Sequence, residues 1–355
     1  MSLRARLEAL IAAEGPITAA QYMTMCLHDP QHGYYATRPG LSVDFVTAPL
    51  VSQMFGELIG LWAAETWARL GRPSPVRLVE VGPGDGSLMV DLLRVARVAP
   101  GFLDAADVWL VETSGPLEAV QRERLGTESG VRWAATLDAV PRDAPLLLLA
   151  NELLDCLPAR QFVRTERGWA ERRVGLDVAG ALAFGLSPAP SSFAPPPGLE
   201  AIAPGSLVEV SPAQEAFGAE VGGRVARDGG CALLIDYGRD GPEPGDTLQA
   251  LLAHAKVSPL ERPGEADLTV HADFPAVAAA ARAAGAVVSP ILGQGAFLRA
   301  LGIEARAAAL GRARPDRAEV VTRQLARLTD PDQMGALFKA LAIRSLGLDV
   351  PGFQG

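Results

Sequence analysis

The stretch RLVEVGPGDG at residues 77–86 constrains the fold more than any other part of the chain. It is an apolar run that ends in glycines at positions 82, 84 and 86. In the segment that follows, SLMVDLLRVARV, apolar side chains recur at the three- and four-residue spacing of a helix. A buried strand, a tight glycine turn and a helix are typical of the first unit of a doubly wound sheet. The predicted fold class is therefore α/β.

The alternation of strands and helices continues after this unit. ADVWLVET and APLLLLANE are apolar enough to be strands buried on both faces of a parallel sheet, and PLEAVQRERL between them has a helical pattern. ARQFVRTERGWAERRVGLD instead alternates with period two around Arg167-Gly168, which predicts a β-hairpin. We expect a mostly parallel sheet with helical additions at both ends and an inserted β-hairpin subdomain. The segment 297–345 is expected to be helical.

These patterns divide the chain into five parts. The predicted parts are an N-terminal helical segment with an active-site loop (1–50), the first half of the α/β core (51–156), an inserted hairpin with a proline-rich loop (157–205), the second half of the core (206–300) and a C-terminal helical region (301–355).

Composition limits the partners and the compartment. The 355 residues carry a net charge of −9, which argues against nucleic acid and anionic membranes as partners. Three widely spaced cysteines without a CxxC pair favour a reducing compartment and predict neither a disulfide framework nor a metal site. Uninterrupted apolar stretches stay shorter than the roughly 18 residues of a membrane span. We expect a cytoplasmic, bacterial protein; the amphipathic N-terminal helix leaves a mitochondrial presequence as the alternative.

The spacing of the glycines indicates which class of ligand the turn binds. Gly82-Pro83-Gly84-Asp85-Gly86 is G-x-G-x-G, whereas dinucleotide enzymes use G-x-G-x-x-G and P-loops need a lysine that is not present here. An acidic residue two positions before the first glycine, Glu80, gives the form found in class I methyltransferases, which bind S-adenosylmethionine (SAM). The Glu80 carboxylate can reach the cationic amino end of SAM, and the glycines let the backbone approach the methionine part closely. A tight turn without a ligand is the alternative.

Acidic residues also follow two later strands. Glu112 lies at the end of the predicted strand VWLVE, 32 residues after Glu80, where a carboxylate can accept hydrogen bonds from both ribose hydroxyls. Asn151, Glu152 and Asp155 follow the apolar strand LLLLA, at the edge where a methyl acceptor would meet the sulfonium. Helix capping and turn formation are the alternatives for single residues. The order and spacing of these residues together indicate a SAM site more specifically than any one of them does.

The chain resembles the MidA-like family of SAM-dependent methyltransferases. The matching stretches cover roughly residues 15–341 and include GPITAAQYM, DPQHGYY, DFVTAPLVSQMFGE, VEVGPGDGSLMVDLLR, ANELLDCLPARQF, IDYG, PGEADLT and MGALFKAL. That family includes a mitochondrial complex I assembly factor that is a protein arginine methyltransferase. The resemblance implies SAM as cofactor and a DFVTAP loop that folds over the site. The predicted cofactor-binding residues are Glu80, Gly82, Pro83, Gly84, Gly86, Glu112, Thr113, Asn151 and Thr47.

Two positions depart from the family pattern. Val43 stands where the family has a glycine, and Leu50 stands where it has a glutamate. Leu50 removes one carboxylate that could orient an acceptor, so the acceptor of this chain could differ from that of the family.

The resemblance implies that the acceptor is an arginine of a partner protein, and it makes a respiratory complex I subunit the expected partner. A guanidinium stays protonated at neutral pH, so we expect carboxylates to bind it. Glu152 and Asp155 are the catalytic candidates, with Asp44 from the overlying loop and Asp236 in IDYG as a further candidate. Two other functions stay open: methylation of a small molecule, and a SAM-binding assembly or scaffold protein without transfer activity.

Overall fold

Helices and strands alternate through most of the computed structural model, which describes residues 1–38, 47–126, 130–188 and 190–353. The helices are α1 (Leu3–Glu14), α2 (Ala19–His28), α3 (Tyr34–Thr37), α4 (Ala48–Val51), α5 (Gln53–Arg69), α6 (Ser87–Ala96), α7 (Phe102–Ala105), α8 (Gly115–Leu125), α9 (Pro212–Asp228), α10 (Phe274–Ala283), α11 (Gln294–Ala300), α12 (Ile303–Ala313) and α13 (Ala318–Thr329). The strands are β1 (Ile17–Thr18), β2 (Val76–Val81), β3 (Ala106–Val111), β4 (Arg132–Ala134), β5 (Leu146–Asn151), β6 (Arg160–Thr165), β7 (Gly168–Leu176), β8 (Leu182–Leu186), β9 (Leu207–Val210), β10 (Gly230–Arg239), β11 (Gln249–Leu252), β12 (Ala255–Val257), β13 (Asp267–Thr269), β14 (Ala272–Asp273), β15 (Val287–Val288), β16 (Leu292–Gly293) and β17 (Phe338–Arg344).

The central sheet is mostly parallel, as the alternating pattern predicts. Its main order is β15-β17-β10-β5-β2-β3-β4, and the five strands from β10 to β4 run parallel. The chain moves outward from β2 through β3 to β4 and then returns to place β5 on the other side of β2. This reversal makes the carboxyl ends of β2, β3 and β5 the switch point where α/β sheets bind ligands.

Helices cover both faces of the sheet, and β5 shows why. Leu147 and Leu149 pack into a core with α5 and α6, while Leu146 and Leu148 pack into a core with α9 and α10. A strand buried on both faces needs a continuous apolar run, which explains LLLLA.

Two smaller sheets flank the central one. One contains β1, β7, β6 and β9, with β8 paired to β7; β6 and β7 pair antiparallel, as the period-two pattern predicts. This sheet also takes β1 from the N-terminal region and β9 from beyond residue 205, so it is built from more of the chain than the hairpin. The other sheet is β12-β11-β13.

The expectation of a helical segment over 297–345 is wrong at its C-terminal end. Helices α11 to α13 end at Thr329, and Phe338–Arg344 is a strand that runs antiparallel to β10 in the central sheet. Its Ala340 and Ala342 pack on one face of the sheet, and Leu341 and Ile343 on the other. Burial on both faces outweighs the helix propensity of alanine here.

The described residues contain no helix with both the length and the apolarity that a membrane span requires.

Adjacent glycines in α9 provide a matched test of the packing between α9 and α10. A Cβ added at Gly222 would lie 2.7 Å from the Cα and the carbonyl oxygen of Ala281, whereas one added at Gly223 would meet only the Ala284 Cβ, at 4.0 Å. We expect Gly222→Ala to lower the free energy of unfolding by about 1–3 kcal/mol, because backbone atoms must shift. Gly223→Ala should raise it by about 0.5–1 kcal/mol, because alanine favours a helix. Urea denaturation measures both; equal effects of the two variants would contradict the helix packing.

Candidate active site

A cavity of about 540 Å³ opens at the carboxyl ends of β2, β3 and β5. It lies at the switch point of the sheet, and its lining includes the glycine turn and the acidic residues that follow these strands. This volume is in the range of cavities that enclose a cofactor-sized ligand.

The glycine turn brings the backbone against the cavity. Gly82, Gly84 and Gly86 all have left-handed backbone angles, with φ of 66°, 56° and 82°. Gly82 and Gly84 line the cavity, and a Cβ at Gly82 would come within 2.8 Å of the Leu153 side chain. Gly86 is the N-cap of α6 and does not contribute to the lining.

Glu112 is held in place by two hydrogen bonds. Its Oε1 accepts from the backbone N–H of Ser114 at 2.8 Å, and its Oε2 accepts from the Gln121 amide at 2.9 Å. The same Gln121 amide donates to the carbonyl oxygen of Gly84 at 2.7 Å. Gln121 therefore ties Glu112 to the glycine turn, a role that the sequence analysis missed because glutamine within a helix carries no signal of it.

Glu152 occupies a strained backbone position at the end of β5. Its φ is +53°, which is unfavourable for a residue with a side chain. Its Oε1 accepts from the backbone N–H of Ala48 at 2.9 Å and from the Asn151 amide at 3.1 Å. Strain of this kind is found at functional sites, where surrounding contacts hold the conformation.

Asp155 and Asp236 have different surroundings. Asp155 lines the cavity and is 7% exposed. Asp236 is fully buried and does not line it; its carboxylate accepts from the backbone N–H groups of Leu154 (2.7 Å), Asp155 (3.2 Å) and Tyr237 (2.8 Å). Asp236 thus shapes the turn that carries Asp155, and the expectation that it serves as a further acceptor-binding carboxylate is wrong.

The structure brings most of the predicted site residues together. Those that line the cavity are Thr47, Glu80, Gly82, Pro83, Gly84, Glu112, Thr113, Asn151, Glu152 and Asp155. Leu50, at the position where the resembling family has a glutamate, also lines it. Asp44 lies outside the described residues.

Other lining residues were not predicted from the sequence. Tyr35 lies in α3, and Tyr237 lies in β10. Gln249, Asp267 and Thr269 belong to the small sheet β12-β11-β13. Strand-end reasoning on the central sheet could not find them. Only Asp267 had a signal in the sequence, because it is an acidic residue within the mostly apolar stretch ADLTV.

Acidic side chains dominate the charge of the cavity. Seven acidic residues line it, and no lysine or arginine of the described residues does. Burial raises the pKa of Glu152 to about 7 and raises the pKa of Asp155, which the charge of Glu152 raises further. Burial also raises the pKa of Glu80 and Glu112. Such a cavity favours cationic ligands, because a cation restores the charged form of these groups.

Comparison with known proteins identifies the family. Residues 58–291 match the model of a family of S-adenosyl-L-methionine-dependent methyltransferases. This chain belongs to that family. It is 36% identical to the protein arginine methyltransferase NDUFAF7 homolog of Drosophila melanogaster, a mitochondrial protein, over 96% of this chain and 84% of the relative. It is 34% identical to human mitochondrial NDUFAF7, over 94% of this chain and 81% of the relative.

Solved structures agree with this assignment. A superfamily member from Burkholderia thailandensis, crystallised with S-adenosyl-homocysteine, superposes with a TM-score of 0.83 and 32% identity, over 99% of this chain and 92% of the other. A native structure from the same organism gives a TM-score of 0.82 and 30% identity over the same shares. The chain is a SAM-dependent methyltransferase, and SAM is its cofactor.

The residues of the cavity fit this cofactor. Buried Glu80 Oε2 and Asn151 Oδ1 have no hydrogen-bond partner among the described residues. Unpartnered buried polar atoms are rare in proteins, and these two belong to residues that line the cavity, where a ligand can pair with them. The left-handed turn at Gly82 and Gly84 leaves no side chain between the backbone and the cavity.

Glu112 provides a test of cofactor binding. We expect Glu112→Ala to weaken binding of S-adenosyl-homocysteine (SAH) by about 1.5–3 kcal/mol, because the ribose hydroxyls would lose a charged acceptor. Isothermal titration calorimetry measures the dissociation constant. Glu118→Ala is the matched control, since Glu118 lies on the adjacent helix and pairs with Arg122 outside the cavity. A dissociation constant unchanged in Glu112→Ala would assign Glu112 a purely structural role.

Proposed function

We propose that this methyltransferase transfers the methyl group to an arginine side chain of a partner protein. The observation that carries the proposal is the cluster of buried carboxylates beside the predicted cofactor half of the cavity, without a lysine or arginine of the described residues among the lining. A guanidinium is a planar cation with five N–H donors and needs such acceptors. Relatives at 33–36% identity are named protein arginine methyltransferases.

The cofactor half of the cavity follows from the glycine turn. We assign Glu112 to the ribose hydroxyls and Glu80 to the amino end of SAM. Gly82, Pro83 and Gly84 face the methionine part through their backbone, while Thr113, Asn151 and Thr47 complete this half. Bound SAM supplies a methyl group on a positively charged sulfur. These roles are supported by the lining of the cavity and by the two unpartnered buried oxygens.

Glu152 and Asp155 act on the acceptor. They bind the guanidinium, concentrate its charge on the nitrogens that they hold and leave the remaining nitrogen free to attack the methyl carbon in line. The hydrogen bonds from Ala48 and Asn151 fix Glu152, so little reorganisation is needed.

Methylation releases one proton from the guanidinium. A carboxylate can accept it only if its pKa is not far below neutrality. Burial raises the pKa of Glu152 to about 7, which suits this role. We assign Glu152 as the proton acceptor, with Asp155 as the partner that keeps the cation in place.

The resemblance at the sequence level extends the proposal to the target, and we propose a respiratory complex I subunit as the acceptor protein. The cysteine usage, not the resemblance, is the basis on which we propose the cytoplasm as the site of the reaction. The three cysteines are unpaired and buried in the structure, in keeping with a reducing compartment.

The direct experiment incubates the protein with SAM labelled in its methyl group and a cell lysate, and then maps the label by mass spectrometry. We expect methyl-arginine on one or a few proteins. Label on a small molecule would favour the small-molecule alternative. SAM binding and partner capture without any label would favour the scaffold alternative and overturn the enzyme assignment to a protein acceptor.

Replacement of Asp155 distinguishes an effect on the acceptor from an effect on cofactor binding. We expect Asp155→Asn to lower kcat/KM for the acceptor by about 100-fold, because the amide keeps the shape but lacks the charge. The dissociation constant of SAH should stay within about twofold of the native value. The control is Asp138→Asn, an exposed aspartate on the loop after β4 whose side chain is 71% exposed. Native transfer rates in Asp155→Asn would exclude its role in acceptor binding.

The pKa of Glu152 predicts a pH dependence. The carboxylate is protonated below its pKa of about 7 and then cannot hold a cation. We expect kcat/KM for the acceptor to fall about tenfold per pH unit below a midpoint at about 7 or lower, since the sulfonium of bound SAM favours the ionised form. Initial rates between pH 5 and 9 measure this, with circular dichroism to verify folding. A flat profile over this range would contradict the role of Glu152.

A further inference from the structure

The small sheet β12-β11-β13 presents one of its faces to the cavity. Gln249 and Leu251 of β11 line the cavity, and so do Asp267 and Thr269 of β13. In the antiparallel register Gln249 pairs with Thr269, and Leu251 pairs with Asp267. Since side chains alternate between the faces of a strand, these four residues form one continuous surface.

The opposite face of this sheet is anchored in the apolar core. Ala250 and Leu268, which pair between the same strands, pack with α1 and α2 in a cluster that includes Leu7 and Met23. One face of this sheet therefore packs in the apolar core, and the other face lines the cavity. A polar residue on the cavity side, such as Asp267, is not required by the packing.

Asp267 is fixed relative to the predicted catalytic groups. The Tyr35 hydroxyl donates to Asp267 Oδ1 at 3.3 Å, and the backbone N–H of Val270, next to the end of β13, donates to the carbonyl oxygen of Asp155 at 2.9 Å. The charge of Asp267 also contributes to raising the pKa of Glu152. Asp267 thus lies within electrostatic reach of Glu152, on a strand that is tied to the turn that carries Asp155.

A second observation on the same surface indicates a ligand. Thr269 is 4% exposed and lines the cavity, and its hydroxyl interacts with the Tyr237 side chain but makes no hydrogen bond of normal length among the described residues. Buried hydroxyls in proteins are normally well paired. An acceptor oxygen that retains bonding capacity on the same surface as a carboxylate is suited to an N–H donor of a bound cation.

We propose that the cavity face of this small sheet is the acceptor-recognition surface, and that Asp267 binds the guanidinium of the acceptor arginine together with Glu152 and Asp155. This inference rests on the proposed arginine acceptor. A guanidinium presents donors along three edges, so one pair of carboxylates on the β5 side leaves donors unsatisfied. Asp267 takes one of these edges, and the Thr269 hydroxyl accepts from a neighbouring N–H.

The test replaces Asp267 and measures acceptor and cofactor separately. The substrate is the protein that the native enzyme labels with methyl-arginine in lysate, purified. We expect Asp267→Asn to raise the acceptor KM at least tenfold and to lower kcat/KM by 10- to 100-fold. Asp267→Glu should recover part of this loss, because it restores the charge. The dissociation constant of SAH and the melting temperature should stay close to native.

Glu265→Gln is the matched control. Glu265 lies two residues before Asp267, its side chain is 61% exposed, and it does not line the cavity. It should leave the acceptor KM within twofold of native. An acceptor KM within twofold of native in Asp267→Asn would overturn the proposal, and so would a loss of SAH affinity and thermal stability that parallels the loss of transfer. A native enzyme that labels no arginine would instead refute the proposed function before any variant is made.

Discussion

The burial of several carboxylates in one cavity is the constraint on which the rest of this structure depends. Removing a carboxylate from water is unfavourable unless hydrogen bonds or a counter-charge compensate. Hydrogen bonds supply part of the compensation for Glu112 and Glu152, and burial still raises the pKa of both. No lysine or arginine of the described chain lines the cavity, so a cationic ligand can supply further compensation there. SAM and the guanidinium that we propose as acceptor are both cations, so the unfavourable burial of these carboxylates in the free protein favours binding of both.

The fold positions these carboxylates through separate elements that meet at one edge of the sheet. The ends of β2, β3 and β5 carry Glu80, Glu112 and Glu152, and the reversal of strand order places them side by side. Asp236 within β10 does not line the cavity, and its carboxylate accepts hydrogen bonds in the turn that carries Asp155. The small sheet contributes from outside the α/β core. Segments added to the SAM-binding fold thus contribute acidic residues to the part of the cavity that we propose for the acceptor.

The sequence predicted the parts of this site that follow from the α/β pattern. Glu112 and Glu152 could be placed because apolar runs show where strands end, and parallel strands end at the same edge. Tyr35 and Asp267 could not, because they reach the cavity only after two additional segments fold against the core. The strand Phe338–Arg344 was predicted as helix, since an alanine-rich run buried on both faces carries no period-two signal. The local sequence pattern therefore revealed where strands end. Long-range packing determined which additional residues reach the cavity and which C-terminal segment joins the sheet.

The most direct measurement of the central claim compares the protons released when SAM and SAH bind. The two ligands share every group except the charged methylsulfonium. If that cation enters a cavity of partly protonated carboxylates, it lowers their pKa and expels protons, up to about half a proton at pH 7 for each group with a pKa near 7. Calorimetry at pH 7 in buffers of different ionisation enthalpy gives the count. We expect more protons to be released with SAM than with SAH. Equal counts for the two ligands would contradict the claim that uncompensated carboxylates face the transferred methyl group.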